Sequence, residues 1–123
     1  MTGRSLLWSS VVGLAALAPV PALASSAIAV INVTPTKDGI QVIGQALALV
    51  DAKISGELSI SRKGQAGSVT TKQGGQLDMS AGQTADIARV GVSYKTGDLL
   101  DVTLVLTQDG IVISETTLKA GKD

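Results

Sequence analysis

The sequence predicts an all-β fold, an immunoglobulin-like antiparallel β-sandwich of about seven strands that follows a secretory leader. Three observations carry this expectation. After Ser26, nearly every periodic segment alternates with period two, and none has the helical repeat. Turn residues interrupt these runs roughly every 8–14 residues. One face of each run is apolar while the other is rich in Ser, Thr, Asp and Lys, as in a strand buried on one side. A small barrel is the alternative closure of the same pattern.

Residues 1–24 read as a signal peptide. Arg4 charges a short n-region, Leu6 to Ala18 is an apolar run, and Pro19 and Pro21 break it before an Ala22-Leu23-Ala24 cleavage site. A membrane span needs about 20 apolar residues without such breaks. Cleavage before Ser25 removes Arg4 and Trp8 and leaves residues 25–123 as one exported β-sandwich domain.

The strands follow in order. Ala27 to Val33 (AIAVINV) is the first, closed by Thr34-Pro35, and the turn TKDG (Thr36 to Gly39) leads into IQVIGQALALV. From Lys53 to Ser61, Ile54, Leu58 and Ile60 point one way, and Ser55, Glu57, Ser59 and Ser61 the other. A turn at Gly64–Gly67 precedes SVTTKQ, and another around Ala81-Gly82 follows Leu77 and Met79. Ala88, Val90, Val92 and Tyr94 share a face that Ile87 does not, which predicts a bulge or strand start near Ala88. KTGD (Lys95 to Asp98) is a turn. The last hairpin aligns Leu100, Val102, Leu104 and Leu106 and turns at Gln108-Asp109-Gly110.

Composition excludes much chemistry. The chain has no Cys and no His, and with Trp8 in the leader Tyr94 is the only aromatic residue of the mature part. Nucleophiles activated by His, and His- or Cys-ligated metal sites, are therefore absent, and no aromatic platform exists for sugars or bases. Ten Lys/Arg balance ten Asp/Glu, and loss of Arg4 leaves a net charge near −1. Such a balance provides no long-range field for nucleic acid or an anionic membrane. Asp78, Asp86, Asp98 and Asp101 sit at turns and strand ends without metal-site or glycosidase spacing, so they read as structural acids. The expectation is a protein with no cofactor, no metal and no enzymatic activity.

One segment stands apart. Ser61 to Gln76, SRKGQAGSVTTKQGGQ, holds three cations, three glutamines and four glycines but no acid. Folded as a hairpin, it would gather Arg62, Lys63 and Lys72 at one end. Lysines there could simply discourage edge-to-edge pairing, or the hairpin could dock an acidic or amide-rich strand.

Leu58 to Glu115 contains, in order, an L-S-I-S-R strand, a Gly/Gln/Ser loop, a T-K-Q strand, a polar Gln-containing turn and Ile87-Ala-Arg-Val-Gly-Val92. Asp98-x-Leu-x-Val-x-Leu104 and Asp109-Gly-x-x-Ile113 complete the run. This collinear order resembles the curli-assembly chaperones of the CsgC/CsgH family. The CsgC branch carries a Cys-x-Cys where this chain reads Ala52-Lys53-Ile54, so the sequence looks more like the cysteine-free CsgH branch and any redox role is lost.

The resemblance implies a monomeric periplasmic sandwich protein that keeps curlin subunits from forming amyloid before export. Curlin, the implied partner, is rich in Ser, Gln, Gly and Asn, and the hairpin is similar to it in its Ser, Gln and Gly content. The client-binding residues expected on this basis are Arg62, Lys63 and Lys72, then Gln65, Thr70 and Gln73, with Arg89 and Lys95 as extensions of the patch. Two other readings remain at the sequence level. One is a fibre subunit or adhesin-like protein, with AIAVINV as donor strand. The other is a carbohydrate-binding sandwich.

Overall fold

The computed structural model describes residues Ser25–Gly121, and the expected leader, 1–24, lies outside the described residues. Seven strands follow one another: β1 (Ala27–Pro35), β2 (Gly39–Ala48), β3 (Ala52–Gly64), β4 (Gly67–Met79), β5 (Thr84–Ser93), β6 (Leu99–Gln108) and β7 (Ile111–Ala120). They form two antiparallel sheets, ordered β1-β2-β5 and β4-β3-β6-β7. The all-β sandwich expected from the alternation is therefore what the chain builds.

The sheet membership of β4 departs from a constant-type immunoglobulin domain, in which the fourth strand joins the first, second and fifth. Here a tight turn holds β4 on β3. Gly64 pairs with Gly67 across Gln65 and Ala66, and the ladder runs unbroken to Ala52 opposite Met79. Gly67 takes a φ of 115°, a left-handed value that favours glycine. At the other end of the molecule, Asp109 and Gly110 both have positive φ, 53° and 79°, as the Asp-Gly hairpin signal requires.

The inner faces carry an aliphatic core of Val42, Ile54, Leu58, Ile60, Val102, Leu104 and Leu106, all essentially inaccessible to solvent. Burying a side chain of this kind contributes about 1.5–3 kcal/mol, so the core needs no aromatic residue at its centre. Tyr94 packs at its rim, where its hydroxyl donates to the Asp98 carbonyl.

The phase break before Ala88 is a bulge. Gly44 pairs with Ala88 but Gln45 with Asp86, leaving Ile87 as the extra residue on β5. The bulge turns Ile87 inward, over Gly56 of β3, where an added Cβ would lie 3.0 Å from the isoleucine side chain. A second register shift, between Leu106 and Thr107, leaves Ile113 as the extra residue on β7. Its carbonyl accepts a 2.6 Å bond from the Ser25 hydroxyl.

Candidate functional site

The larger sheet exposes a mainly polar face, in which short hydroxyl side chains are set among lysines and acids. Alternation along β3 sends Ser55, Glu57, Ser59, Ser61 and Lys63 outward. Register then sets Thr70–Ser61–Asp101–Lys119 in one row and Lys72–Ser59–Thr103–Thr117 in the next. Asp101 and Lys119 form an ion pair at 3.5 Å, and the hydroxyls of Thr103 and Thr117 stand 3.5 Å apart. The surface offers rows of hydroxyls flanked by lysines, with a free strand edge at one side.

That edge is β4. Among the described residues it pairs only with β3; it runs for 13 residues and is exposed along most of them. Such a strand presents a row of backbone N–H and C=O groups to whatever approaches, and natural edges are usually shorter or covered. Lys72 guards its middle, and Gly74 and Gly75 follow without side chains. No hydrogen bond links β4 to β5, its neighbour across the sandwich, among the described residues.

The three cations expected at one end of this hairpin do not come together, which corrects the sequence reading. Arg62 continues the parity of Ile54, Leu58 and Ile60 and points inward, where it is only 7% exposed. Lys63, one residue on, points outward. Lys72 stands on the outward face too, but opposite Ser59, while Lys63 is opposite Ser68. That separation of four ladder positions is about 13 Å at a strand's rise per residue. Thr70 shares the outward face, Gln73 lies on the opposite face of β4, and Gln65 sits in the turn. Alternation alone places Ser59 and Ser61 on one face of β3, but that Thr103 and Thr117 share this face depends on the order of the strands.

Of the two extension residues, Arg89 lies on the outer face of the smaller sheet. There it donates to Asp86 at 2.8 Å, within a chain in which Asn32 donates to Gln45 and Gln45 to Asp86. The Gln45 amide, and secondarily the Arg89 guanidinium, hold the Asp86 carboxyl below its usual range. Lys95 belongs to the β5–β6 loop, at the end of the molecule where Arg62 lies. The remaining acids act structurally. Asp78 faces Lys53 at 3.9 Å, and the Asp98 carboxylate accepts the Lys95 backbone N–H at 3.0 Å.

No group of three potential metal-ligating side chains occurs among the described residues, and no helix there is long and apolar enough to cross a membrane.

No protein family description matches the chain, and no curated protein matches it by sequence. Solved structures do. The solution structure of R. palustris CsgH superposes with a TM-score of 0.60 at 19% identity, covering 72% of this chain and 89% of that one. The E. coli curli protein CsgC gives 0.65 at 16% identity, covering 75% and 97%. A glycosyl hydrolase family 2 member from Bacteroides cellulosilyticus reaches 0.51 at 20% identity, but the likeness spans only 16% of its length. Both curli-protein likenesses run over nearly the whole of the partner structure, and the chain has the CsgC/CsgH-like fold.

Proposed function

We propose that the protein is a periplasmic chaperone of curli biogenesis, not an enzyme, that restrains curlin subunits from premature amyloid formation. The observation that carries this reading is the long, polar, exposed β4 edge on a fold shared with CsgH and CsgC. Amyloid grows when identical strands stack in register and satisfy one another's backbone groups. A strand edge bordered by Thr70, Lys72 and a hydroxyl-rich sheet face can compete for those groups by strand addition. Lys63 and Lys72 steer an acidic or amide-rich chain, while the mainly polar side chains of the edge keep the contact transient.

The fibre-subunit alternative requires a donor strand free to leave its own fold. β1 is paired along its whole length with β2 and is bonded to β7 as well, which favours the chaperone reading.

Purified protein added to freshly desalted curlin subunit, with amyloid growth followed by thioflavin fluorescence, tests the proposal. A lengthened lag well below equimolar ratio is expected. Unchanged growth at every ratio up to equimolar overturns it.

A further inference from the structure

Among the described residues, Arg62 is the one charged residue in the buried interior, and no carboxylate there forms an ion pair with it. The ion pairs among the described residues are Lys53–Asp78, Asp86–Arg89 and Asp101–Lys119. Through Nη1 alone, Arg62 donates to the Ser93 carbonyl at 3.1 Å and the Ser93 hydroxyl at 2.6 Å, and its Nε has no partner. A desolvated guanidinium held by neutral acceptors only is costly, and buried charges are normally paired. An orphaned group of this kind calls for a physical reason.

Its surroundings provide one. Arg62 lines an open cavity of about 960 Å³ at one end of the sandwich, where three connections converge. The β1–β2 turn brings Lys37 and Asp38, the β3–β4 turn brings Gln65, and the β5–β6 loop brings Tyr94, Lys95 and Asp98. The two carboxylates of its lining are Asp38 and Asp98, and the Asp98 carboxylate is engaged by the Lys95 backbone N–H. Three cations against two acids leave the cavity with one formal positive charge.

We infer that this end cavity is a carboxylate-binding site in which Arg62, Lys37 and Lys95 receive a monoanion. A carboxylate fits better than phosphate, because a planar guanidinium matches it in geometry and a single negative charge balances the cavity. Its source is an Asp or Glu side chain or a chain end of an extended polypeptide, or else a small free carboxylate. The inference goes beyond the chaperone reading and does not depend on it, since the site is measured without curlin.

The chain has three arginines, Arg4, Arg62 and Arg89, so the side-chain Nε–Hε region of a ¹H–¹⁵N spectrum is sparse enough to follow Arg62 alone. The purified protein is titrated at constant ionic strength with acetate, with a blocked Gly-Ser-Asp-Gly peptide, with its Asn counterpart, with inorganic phosphate and with chloride. The expected result is a saturable shift of the Arg62 Nε–Hε signal and of the Ser93–Asp98 amides with acetate and the Asp peptide, absent with chloride and the Asn peptide. Tighter binding of the Asp peptide than of acetate identifies a polypeptide carboxylate, and equal binding a free one. Lys37→Gln and Lys95→Gln, both in exposed connections, should each weaken binding about two- to fivefold, and Arg62→Met by about tenfold or more. Arg62→Met leaves no ionic partner behind and is expected to fold. Shifts that are linear in concentration, that chloride or the Asn peptide reproduces, that phosphate produces more strongly than carboxylate, or that survive the lysine substitutions undiminished overturn the assignment.

Discussion

The sandwich has two seams where edge strands of its sheets meet, and they are built oppositely. At the β1/β7 seam, side chains replace a backbone ladder. The Ala29 N–H donates to Ser114 Oγ, the Thr116 hydroxyl donates to the Ala29 carbonyl, and Ser25 donates to Ile113. Ser26 adds a bond to Gln108. Hydroxyls of β7 thus satisfy both backbone groups of Ala29 on the edge of β1 that faces away from β2. At the β4/β5 seam no such bond exists among the described residues, and β4 carries glycine, threonine and glutamine along a solvent-exposed edge. The difference teaches that one edge of this small domain is closed for stability, while the other is left available. Closed and open edges sit on a single core, so the open one need not weaken the fold.

Substitutions should separate the two seams. The largest expected effect is at the closed seam. Thr116→Val keeps shape but leaves the Ala29 carbonyl without its donor, which should cost about 1–3 kcal/mol. Urea denaturation should show this as a lowered midpoint with an unchanged slope. At the open seam, Lys63→Glu with Lys72→Glu should move the urea midpoint by no more than about 0.5 kcal/mol equivalent. The same pair should shorten or abolish the thioflavin lag that the wild type imposes on curlin. A loss of stability at the lysines, or a loss of activity at Thr116→Val in protein that remains folded, would reverse the assignment of the seams.

Amide hydrogen exchange sharpens the comparison without mutation. Amides of β1 should exchange only through large-scale opening, whereas the outward-directed amides of β4 should exchange orders of magnitude faster.

The smallest effect concerns the chain of bonds from Asn32 through Gln45 and Asp86 to Arg89. Because the Gln45 amide and the Arg89 guanidinium hold the folded-state Asp86 carboxyl below the usual carboxylate range, its bonds add stability that is fully present above the unfolded value of about 3.9. That contribution should disappear as pH falls through the folded value. Asp86→Asn should flatten the corresponding part of the stability–pH curve below about pH 4 and leave neutral-pH activity unchanged.

Much of this fold was legible in the sequence because alternation is a local signal. The Asp109-Gly110 turn and the phase break at Ile87 were both readable, the latter because a bulge must displace one residue from its face. Arg62 was also readable in principle, since it lies two residues beyond Ile60 in the apolar parity, but its charge suggested the surface. The outer-face rows were not legible. That Thr103 and Thr117 line up with Ser59 and Lys72 follows from the order β4-β3-β6-β7, a set of long-range pairings that no local pattern encodes. The cavity at the loop end was hidden for the same reason, as it joins three turns distant in sequence.

The most direct test of the open-edge account is to map a soluble curlin repeat peptide onto the protein by ¹H–¹⁵N shift perturbation. The account predicts perturbations concentrated on β4 and the outward residues of β3, with β1 and β7 silent at their shared seam. Perturbations centred on β1 and β7, or on the Asp86–Arg89 face of the smaller sheet, would contradict it.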